Sequence, residues 1–155
     1  MTRGTILPLS GHASKPSRPG ASTPDVRRRM QRTPQRDTPP ERALRSRLHR
    51  MGLRFWVDRR PDSSVRSRAD IVFPRARVAV FVDGCFWHGC PEHATWPKAN
   101  GAWWKAKIEA NRERDRRSTA ALRHAGWRVV RVWEHEDPTR VAKRIANIVR
   151  KRVTG

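Results

Sequence analysis

A short apolar and mostly β-branched run, Arg77 to Val82 (RVAVFV), constrains the fold more than any other part of the chain. Such a run predicts a strand buried on both faces, because a strand with one wet face alternates apolar and polar residues. A strand covered on both faces belongs inside a sheet that is flanked by helices. We therefore expect an α/β fold built around this strand.

The flanking sequence predicts the element order α-β-β-β-α-β-α. The predicted helices are Glu41–Met51, Gly101–Ala125 and a last helix capped by Asp137 with Pro138 at its first position, and the other predicted strands are Leu53–Val57, Ala69–Phe73 and Arg128–Trp133. Gly52 and Gly126 mark helix ends. The turn at Pro74–Ala76 predicts a hairpin, so the fold is expected to be a central mixed β-sheet flanked by helices.

The charge of the chain indicates its partner. Lys and Arg number 35 against 14 acidic residues, a formal charge of +21, which favours nucleic acid over the alternatives of a membrane surface or a ribosome. No apolar run approaches the roughly 18 residues of a membrane span, and no secretory signal precedes the basic start. Two cysteines without an export signal favour metal binding or free thiols over a disulfide. We expect a cytoplasmic, nucleoid-associated protein.

The first forty residues differ in composition from the rest. Seven of the twelve prolines precede Glu41, and this polar, Pro-rich sequence predicts disorder in the free chain. We divide the chain into a disordered basic tail (1–24) and a folded domain (25–155). The domain begins with an arm (25–40) whose RRRM run could contact phosphates and become ordered on DNA. The alternative is a merely solubilising tail.

Two acidic residues bracket the predicted hairpin. Asp70 begins one strand and Asp83 ends the next, so antiparallel pairing places both carboxylates at the same end of the sheet. Converging carboxylates suit Mg²⁺, which can activate water and polarise a phosphoryl group. The alternative is a pair of solvated turn residues.

The loop after the hairpin carries a second set of metal-binding residues. Cys85-x4-Cys90-x2-His93 is followed by His135, just beyond the last predicted strand. Two thiolates and two imidazoles form a closed, structural tetrahedral zinc set. The alternative is a pair of buried cysteines with unrelated surface histidines. His88 lies between the cysteines, and it is either a general base for water or a zinc ligand in place of His93 or His135.

Large aromatic residues interrupt this polar loop. Phe86 and Trp87 are adjacent and could wedge between base pairs, and Trp103 and Trp104 could do the same or pack in the core. Polar residues continue along the long helix. Asn111 and Asp115 would point into the site or hydrogen-bond beneath it, and Arg112, Arg114, Arg116 and Arg117 would face phosphates or solvent.

From about Arg27 to Trp133 the chain resembles the very short patch repair endonucleases of the PD-(D/E)xK nuclease superfamily. The resemblance is carried by RRRMQRTPQRDTPPE, RADIVF, FVDGCFWHGCPEH, WWKAKIEANRERDRR and GWRVVRVWEHE. It implies a restriction-endonuclease-like fold and a Mg²⁺-dependent enzyme that nicks double-stranded DNA 5′ to the thymine of a T:G mismatch. Such mismatches arise when 5-methylcytosine is deaminated.

The resemblance also implies roles for matching residues. Asp70 and the main-chain carbonyl of Val82 would hold catalytic Mg²⁺, and Glu41 would hold metal-bound water. His88 would be the general base or a water-orienting residue. Phe86, Trp87 and Trp104 would form the wedge, with Met30 in the opposite groove, and Cys85, Cys90, His93 and His135 would hold structural Zn²⁺. From the residues themselves we also expect Asp83 to be a further catalytic residue and Mg²⁺ ligand, and Asn111, Arg112 and Arg116 to contact DNA. The family can have Thr-His at Val82-Asp83 and Cys at His135.

We expect a monomer, since mismatched DNA lacks two-fold symmetry, with mismatch-repair proteins and a DNA polymerase acting downstream. Two alternatives remain open at this stage. One is a non-catalytic, zinc-containing DNA-binding module, and the other is a nuclease of the same superfamily with a different DNA substrate.

Overall fold

The computed structural model describes Pro24, Arg28, residues 36–93 and residues 98–155. The helices and strands of 36–155 are α1 (Pro39–Arg50), β1 (Trp56–Arg59), β2 (Ala69–Phe73), β3 (Val78–Asp83), α2 (Gly101–His124), β4 (Arg128–Trp133) and α3 (Pro138–Thr154). This order confirms the predicted α/β arrangement. The predicted tail and most of the predicted arm, including Met30, lie outside the described residues.

The four strands form one mixed sheet in the order β1-β2-β3-β4. β2 pairs antiparallel with both β1 and β3, whereas β3 and β4 run parallel. The predicted hairpin is confirmed, with the amide of Arg77 donating to the carbonyl of Pro74 across 3.2 Å. The start of β2 and the carboxyl ends of β3 and β4 therefore lie at the same end of the sheet.

Alternate residues of β3 enter two separate cores. Val78 and Val80 pack with α1 and α3 through residues such as Leu48 and Ile145. Ala79 and Phe81 pack on the other face, in a cluster that includes Leu122 of α2 and residues from other elements. This arrangement explains why the β3 sequence is apolar at successive positions, since neither face of the strand meets solvent.

Two predicted element starts differ from the structure by more than one residue. β1 begins three residues later than predicted, because Leu53 and Phe55 pack against the α1–α3 core instead of joining the sheet. α1 begins at Pro39, two residues earlier than predicted, since the first turn of a helix tolerates proline. The predicted cap of α3 is confirmed by bonds from the amides of Thr139 and Arg140 to Asp137.

Among the described residues, no helix has the length and apolar character needed to cross a membrane.

Candidate active site

Asp70, the first predicted Mg²⁺ ligand, is held in position at the end of the sheet by the neighbouring strand. Asp70 lies near the start of β2, and its Oδ2 accepts a hydrogen bond of 2.6 Å from the main-chain amide of Val82 on β3. Glu41 stands in the first turn of α1, buried, where its Oε1 accepts a 3.0 Å hydrogen bond from the hydroxyl of Thr38. Both acids therefore have defined positions.

Asp70 lies in surroundings that disfavour its negative charge. Burial raises the pKa of its carboxyl to about 6, and the charges of Glu41 and Asp83 act in the same direction. The hydrogen bond from Val82 and the charge of Arg131 oppose this rise without cancelling it. A buried carboxylate with other acids around it is suited to binding a cation.

Asp83 is engaged by a residue that sequence reasoning missed. Its Oδ2 and Oδ1 accept bonds of 2.8 Å and 2.7 Å from Nε and Nη2 of Arg131 on β4, a bidentate ion pair. Parallel pairing of β3 with β4 brings these side chains together. A direct bond from Asp83 to Mg²⁺ would have to share oxygens that the guanidinium already holds.

His88 is held by an acid on the long helix. Its Nδ1 lies 2.6 Å from Oδ2 of Asp115 and 3.8 Å from Oδ1 of Asp83. Burial acts to raise the pKa of Asp115, but the bond from His88 and the charge of Arg131 outweigh it and leave that pKa below its ordinary value. Since an ionised carboxylate only accepts, Nδ1 of His88 is the donor, and Nε2 is the ring nitrogen left to accept a proton.

The four predicted zinc ligands converge. One ligand atom from each of Cys85, Cys90, His93 and His135 lies within 4.8 Å of all the others. Nδ1 of His135 is 3.1 Å from Sγ of Cys85 and 3.8 Å from Sγ of Cys90, which in turn lies 3.8 Å from Nδ1 of His93. Zinc bonds of about 2.0–2.3 Å give tetrahedral edges of roughly 3.3–3.8 Å, so the cluster has the dimensions of such a site.

The thiols of this cluster differ in acidity. Burial and the neighbouring Cys90 raise the pKa of Cys85 to about 11. The pKa of Cys90 is lowered, because hydrogen bonds from the Glu92 amide and from His93 outweigh the effect of burial. A divalent ion would stabilise both thiolates. Glu134 ties the loop to β4, since its Oε1 accepts a 2.8 Å bond from the amide of Cys85.

The predicted wedge residues form a contiguous aromatic cluster. The ring of Phe86 lies 5.1 Å from that of Trp87 and 5.3 Å from that of Trp104, and the two tryptophan rings are 5.9 Å apart. Trp104 is buried, whereas Trp87 is 39% exposed. Trp104 thus supports a ring that faces outward.

The sequence profile of the family described as DNA mismatch endonuclease Vsr matches residues 21–93. The chain is 48% identical over 112 residues to the type II nicking enzyme V.NaeI of Lentzea aerocolonigenes, covering 71% of this chain and 68% of that protein. The V.XorIIP nicking enzyme of Xanthomonas oryzae is 44% identical, over 77% of this chain and 88% of that protein. This chain belongs to the Vsr family.

A further Vsr-family relative, the DNA mismatch endonuclease Vsr of Escherichia coli, is 41% identical over 64% of this chain and 62% of that protein. The protein is therefore a Vsr-family DNA endonuclease, a hydrolase that acts on DNA. Membership of this nuclease family implies a divalent metal ion. The acidic surroundings of Asp70 are compatible with one.

In this Vsr-family chain, two of the predicted DNA-contacting residues brace the aromatic turn instead of pointing freely outward. Asn111 is buried, and its Nδ2 donates a 3.1 Å bond to the carbonyl of Trp87. Nη2 of Arg112 donates a 3.0 Å bond to the carbonyl of Gly89. Arg116 is exposed and paired with Glu113. The first two therefore position the turn.

Two residues beside this site in the Vsr-family chain, Arg131 and Glu134, are not predicted from the sequence. The strand pattern alone gives Arg131 no role, although an arginine in the middle of RVVRVW is a usable signal, because an unpaired charge is costly between buried valines. Glu134 follows the same strand and gave no local signal. The sequence predicts Asp115 at the site but not its pairing with His88, since the two residues lie 27 positions apart.

Proposed function

We propose that this Vsr-family endonuclease nicks one strand of double-stranded DNA at T:G mismatches, 5′ to the thymine, and so initiates repair of deaminated 5-methylcytosine. One observation carries the proposal: the half-exposed Trp87 and the candidate base His88 are consecutive residues of one turn. An aromatic wedge inserted at a mismatched base step would therefore bring His88, the candidate general base, to the neighbouring phosphate. The name of the Escherichia coli relative, a DNA mismatch endonuclease, supports this specificity.

Discrimination would come from the cost of deforming DNA. Inserting a ring unstacks one base step, which costs a few kcal/mol, and the cost is lower where pairing is already weak. Trp87 would be the inserted ring, with Phe86 and Trp104 packed behind it. Met30 would approach from the opposite groove.

The base in this proposal is His88. Because Nδ1 donates to Asp115, Nε2 is available to take a proton from the attacking water. The water oxygen forms a bond to phosphorus as the bond from phosphorus to the 3′ oxygen breaks. The products are a 5′-phosphate and a 3′-hydroxyl, and the latter is a substrate for a DNA polymerase.

Asp70 and the main-chain carbonyl of Val82 would hold the catalytic Mg²⁺, and Glu41 would orient a water molecule beside it. When bound, Mg²⁺ supplies charge that polarises the phosphoryl group and stabilises the leaving oxygen. The raised pKa of Asp70 supports this assignment, because burial and the neighbouring acids disfavour its negative charge and a cation would offset that cost. Direct ligation by Asp83 stays a prediction.

Zn²⁺ would have a structural role in this proposal. The ligands Cys85 and Cys90 flank the turn that carries the wedge and the base. Metal analysis of the purified protein should give one zinc per chain, and Cys90→Ser should lose it. His49→Ala is the control, because His49 lies on α1, outside the cluster.

The second candidate keeps the nuclease and changes its substrate. Two relatives described above are named type II nicking enzymes, so nicking in another sequence context is the strongest alternative. A non-catalytic zinc module is less favoured, since buried acids at a DNA-binding edge weaken phosphate binding unless a cation intervenes.

The deciding experiment is a nicking assay on labelled duplexes that contain T:G, the matched C:G or A:T at one position. The sequence contexts are varied, and each duplex is incubated with Mg²⁺ or EDTA. The proposal predicts one Mg²⁺-dependent nick, 5′ to the thymine of T:G only. Nicking of matched duplexes would support the second candidate, and binding without nicking in every context would support the zinc module.

A further inference from the structure

A third set of potential metal ligands lies beside the site described above. One ligand atom from each of Asp83, His88 and Asp115 lies within 4.8 Å of the others. Two carboxylates and an imidazole suit a transition-metal ion such as Mn²⁺. If an ion bound there through Nδ1 of His88, the ring would lose the bond that orients it as a base.

The guanidinium of Arg131 already pairs with the two acids of this triad. Nη2 of Arg131 lies 2.7 Å from Oδ1 of Asp83 and 3.2 Å from Oδ1 of Asp115, so one nitrogen joins both acids. Nε completes the bidentate pair with Asp83. The guanidinium also lies 4.6 Å from the ring centroid of Phe81, which covers one of its faces.

The position of Arg131 in the fold makes this cation permanent. Its side chain is 23% exposed and emerges from β4 between the buried Val130 and Val132. Its acidic neighbours outweigh burial and raise its pKa above the ordinary value, so it stays charged at every relevant pH. Unlike a bound ion, this charge cannot exchange with solvent or be removed by a chelator.

The geometry points to Arg131 as a positioning residue that serves as the resident cation of the Asp83–His88–Asp115 triad. By pairing with both acids it keeps divalent ions out of the triad and leaves Nδ1 of His88 to Asp115. The exchangeable ion of the proposed reaction would then be held by Asp70 and the carbonyl of Val82, and this inference replaces the predicted direct bond from Asp83 to Mg²⁺. The metal-exclusion part of this inference stands without the proposed function, whereas its effect on nicking rests on that function.

The first test counts Mn²⁺ ions by electron paramagnetic resonance in zinc-loaded protein without DNA. All variants carry Asp70→Asn, which removes the proposed catalytic ion. Asp70→Asn alone should bind no Mn²⁺, and adding Arg131→Met should create a site for one ion. A third change, Asp115→Asn, should abolish the new site. Thermal unfolding checks each fold, and Arg131→Gln replaces Arg131→Met if the latter does not fold.

Two results would overturn the inference. One is failure of both folded Arg131 variants to bind Mn²⁺. The other is Mn²⁺ binding by Asp70→Asn alone that Asp115→Asn removes, since the triad would then accept a metal ion with Arg131 in place.

The second test measures nicking with Asp70 intact. Arg131→Met should lower kcat by roughly 100-fold or more with little change in KM, the range expected when a general base is misplaced. Arg131→Lys keeps the charge without the bidentate fork, so it should recover part of the rate and bind no extra Mn²⁺. Equal activities of all three proteins would refute the positioning role, while absence of nicking by the unmodified enzyme would refute only the proposed function.

Discussion

Asp70 illustrates how a single carboxylate can oppose folding and still suit a proposed metal site. Its folded-state pKa of about 6 lies above the ordinary value of 3.8. A raised acid pKa means that the folded state holds its proton more tightly, so stability falls as pH rises from about 4 to 6 and stays lower above that range. A bound cation would reverse this cost.

Asp70→Asn should therefore stabilise the protein while abolishing nicking. The gain, measured by urea unfolding in EDTA-free buffer without Mg²⁺, should be about 1–3 kcal/mol at pH 8, since one pKa unit corresponds to about 1.4 kcal/mol. It should vanish below about pH 3, where Asp70 is protonated in both states. Asp62→Asn is the control. Hydrogen bonds from Ser64 lower the pKa of Asp62, so removing its charge should not stabilise the protein at pH 8. A variant less stable than the parent at pH 8 would contradict this account.

The pairing of His88 with Asp115 gives a second prediction at this scale. Asp115→Asn keeps the shape but removes the charge that favours the donor state of Nδ1, so kcat should fall by roughly 10- to 1000-fold with DNA affinity maintained. Glu113→Gln is matched to it, since Glu113 lies on the same helix and pairs with the exposed Arg116 and Arg117. The check is single-turnover nicking with parallel binding titrations. Equal rates for the two variants would exclude Asp115 from the site.

At the scale of elements, the turn between β3 and α2 is positioned by close packing. Gly89 has φ +62°, and a Cβ placed on it would stand 2.9 Å from Cγ2 of Ile108 on α2. The left-handed backbone and the close approach both require glycine here. Asn111 and Arg112 hold the same turn from α2.

Gly89→Ala should therefore displace the turn and destabilise the protein by about 1–3 kcal/mol, from backbone strain and overpacking together. Gly101→Ala is the matched control at the start of α2, where a Cβ would meet nothing within 4 Å and should be neutral or slightly stabilising. Urea unfolding measures both, and hydrogen exchange of residues 84–93 locates the effect. Similar unfolding free energies would mean that the turn is not tightly packed.

These elements were largely predictable because their signals are local. The apolar run of β3, the proline turn after β2 and the Asp137-Pro138 cap each lie within a few residues. The partners of Arg131 could not be predicted in this way, since Asp83 reaches it only through the parallel pairing of β3 with β4 across α2. Periodicity places a residue in a strand but does not identify the side chain opposite it.

At the scale of the whole molecule, the charge of +21 and the aromatic turn should contribute separately to DNA binding. Each neutralised phosphate steepens the dependence of log K on log salt concentration by about 0.9. Matched and mismatched duplexes should therefore share one steep slope, with the mismatched one bound more tightly. Trp87→Ala should reduce that preference and leave the slope unchanged, as measured by fluorescence anisotropy over a salt series.

Arg117→Ala provides the opposite control, since Arg117 is exposed on α2. If it contacts a phosphate, the slope should become shallower while the preference for the mismatch stays the same. A change of slope with Trp87→Ala would show that charge and stacking are not separable.

The parallel pairing of β3 with β4 also determines when the site can assemble during synthesis of the chain. Arg131, Glu134 and His135 all come late in the chain, after the acids and the wedge, and long-range parallel pairing is slow to form. We therefore expect a chain still being synthesised, with β4 inside the ribosome, to have neither a complete cluster of proposed zinc ligands nor the Arg131 pairing that orients the proposed general base. Incomplete chains would then pose no threat to the genome that encodes them.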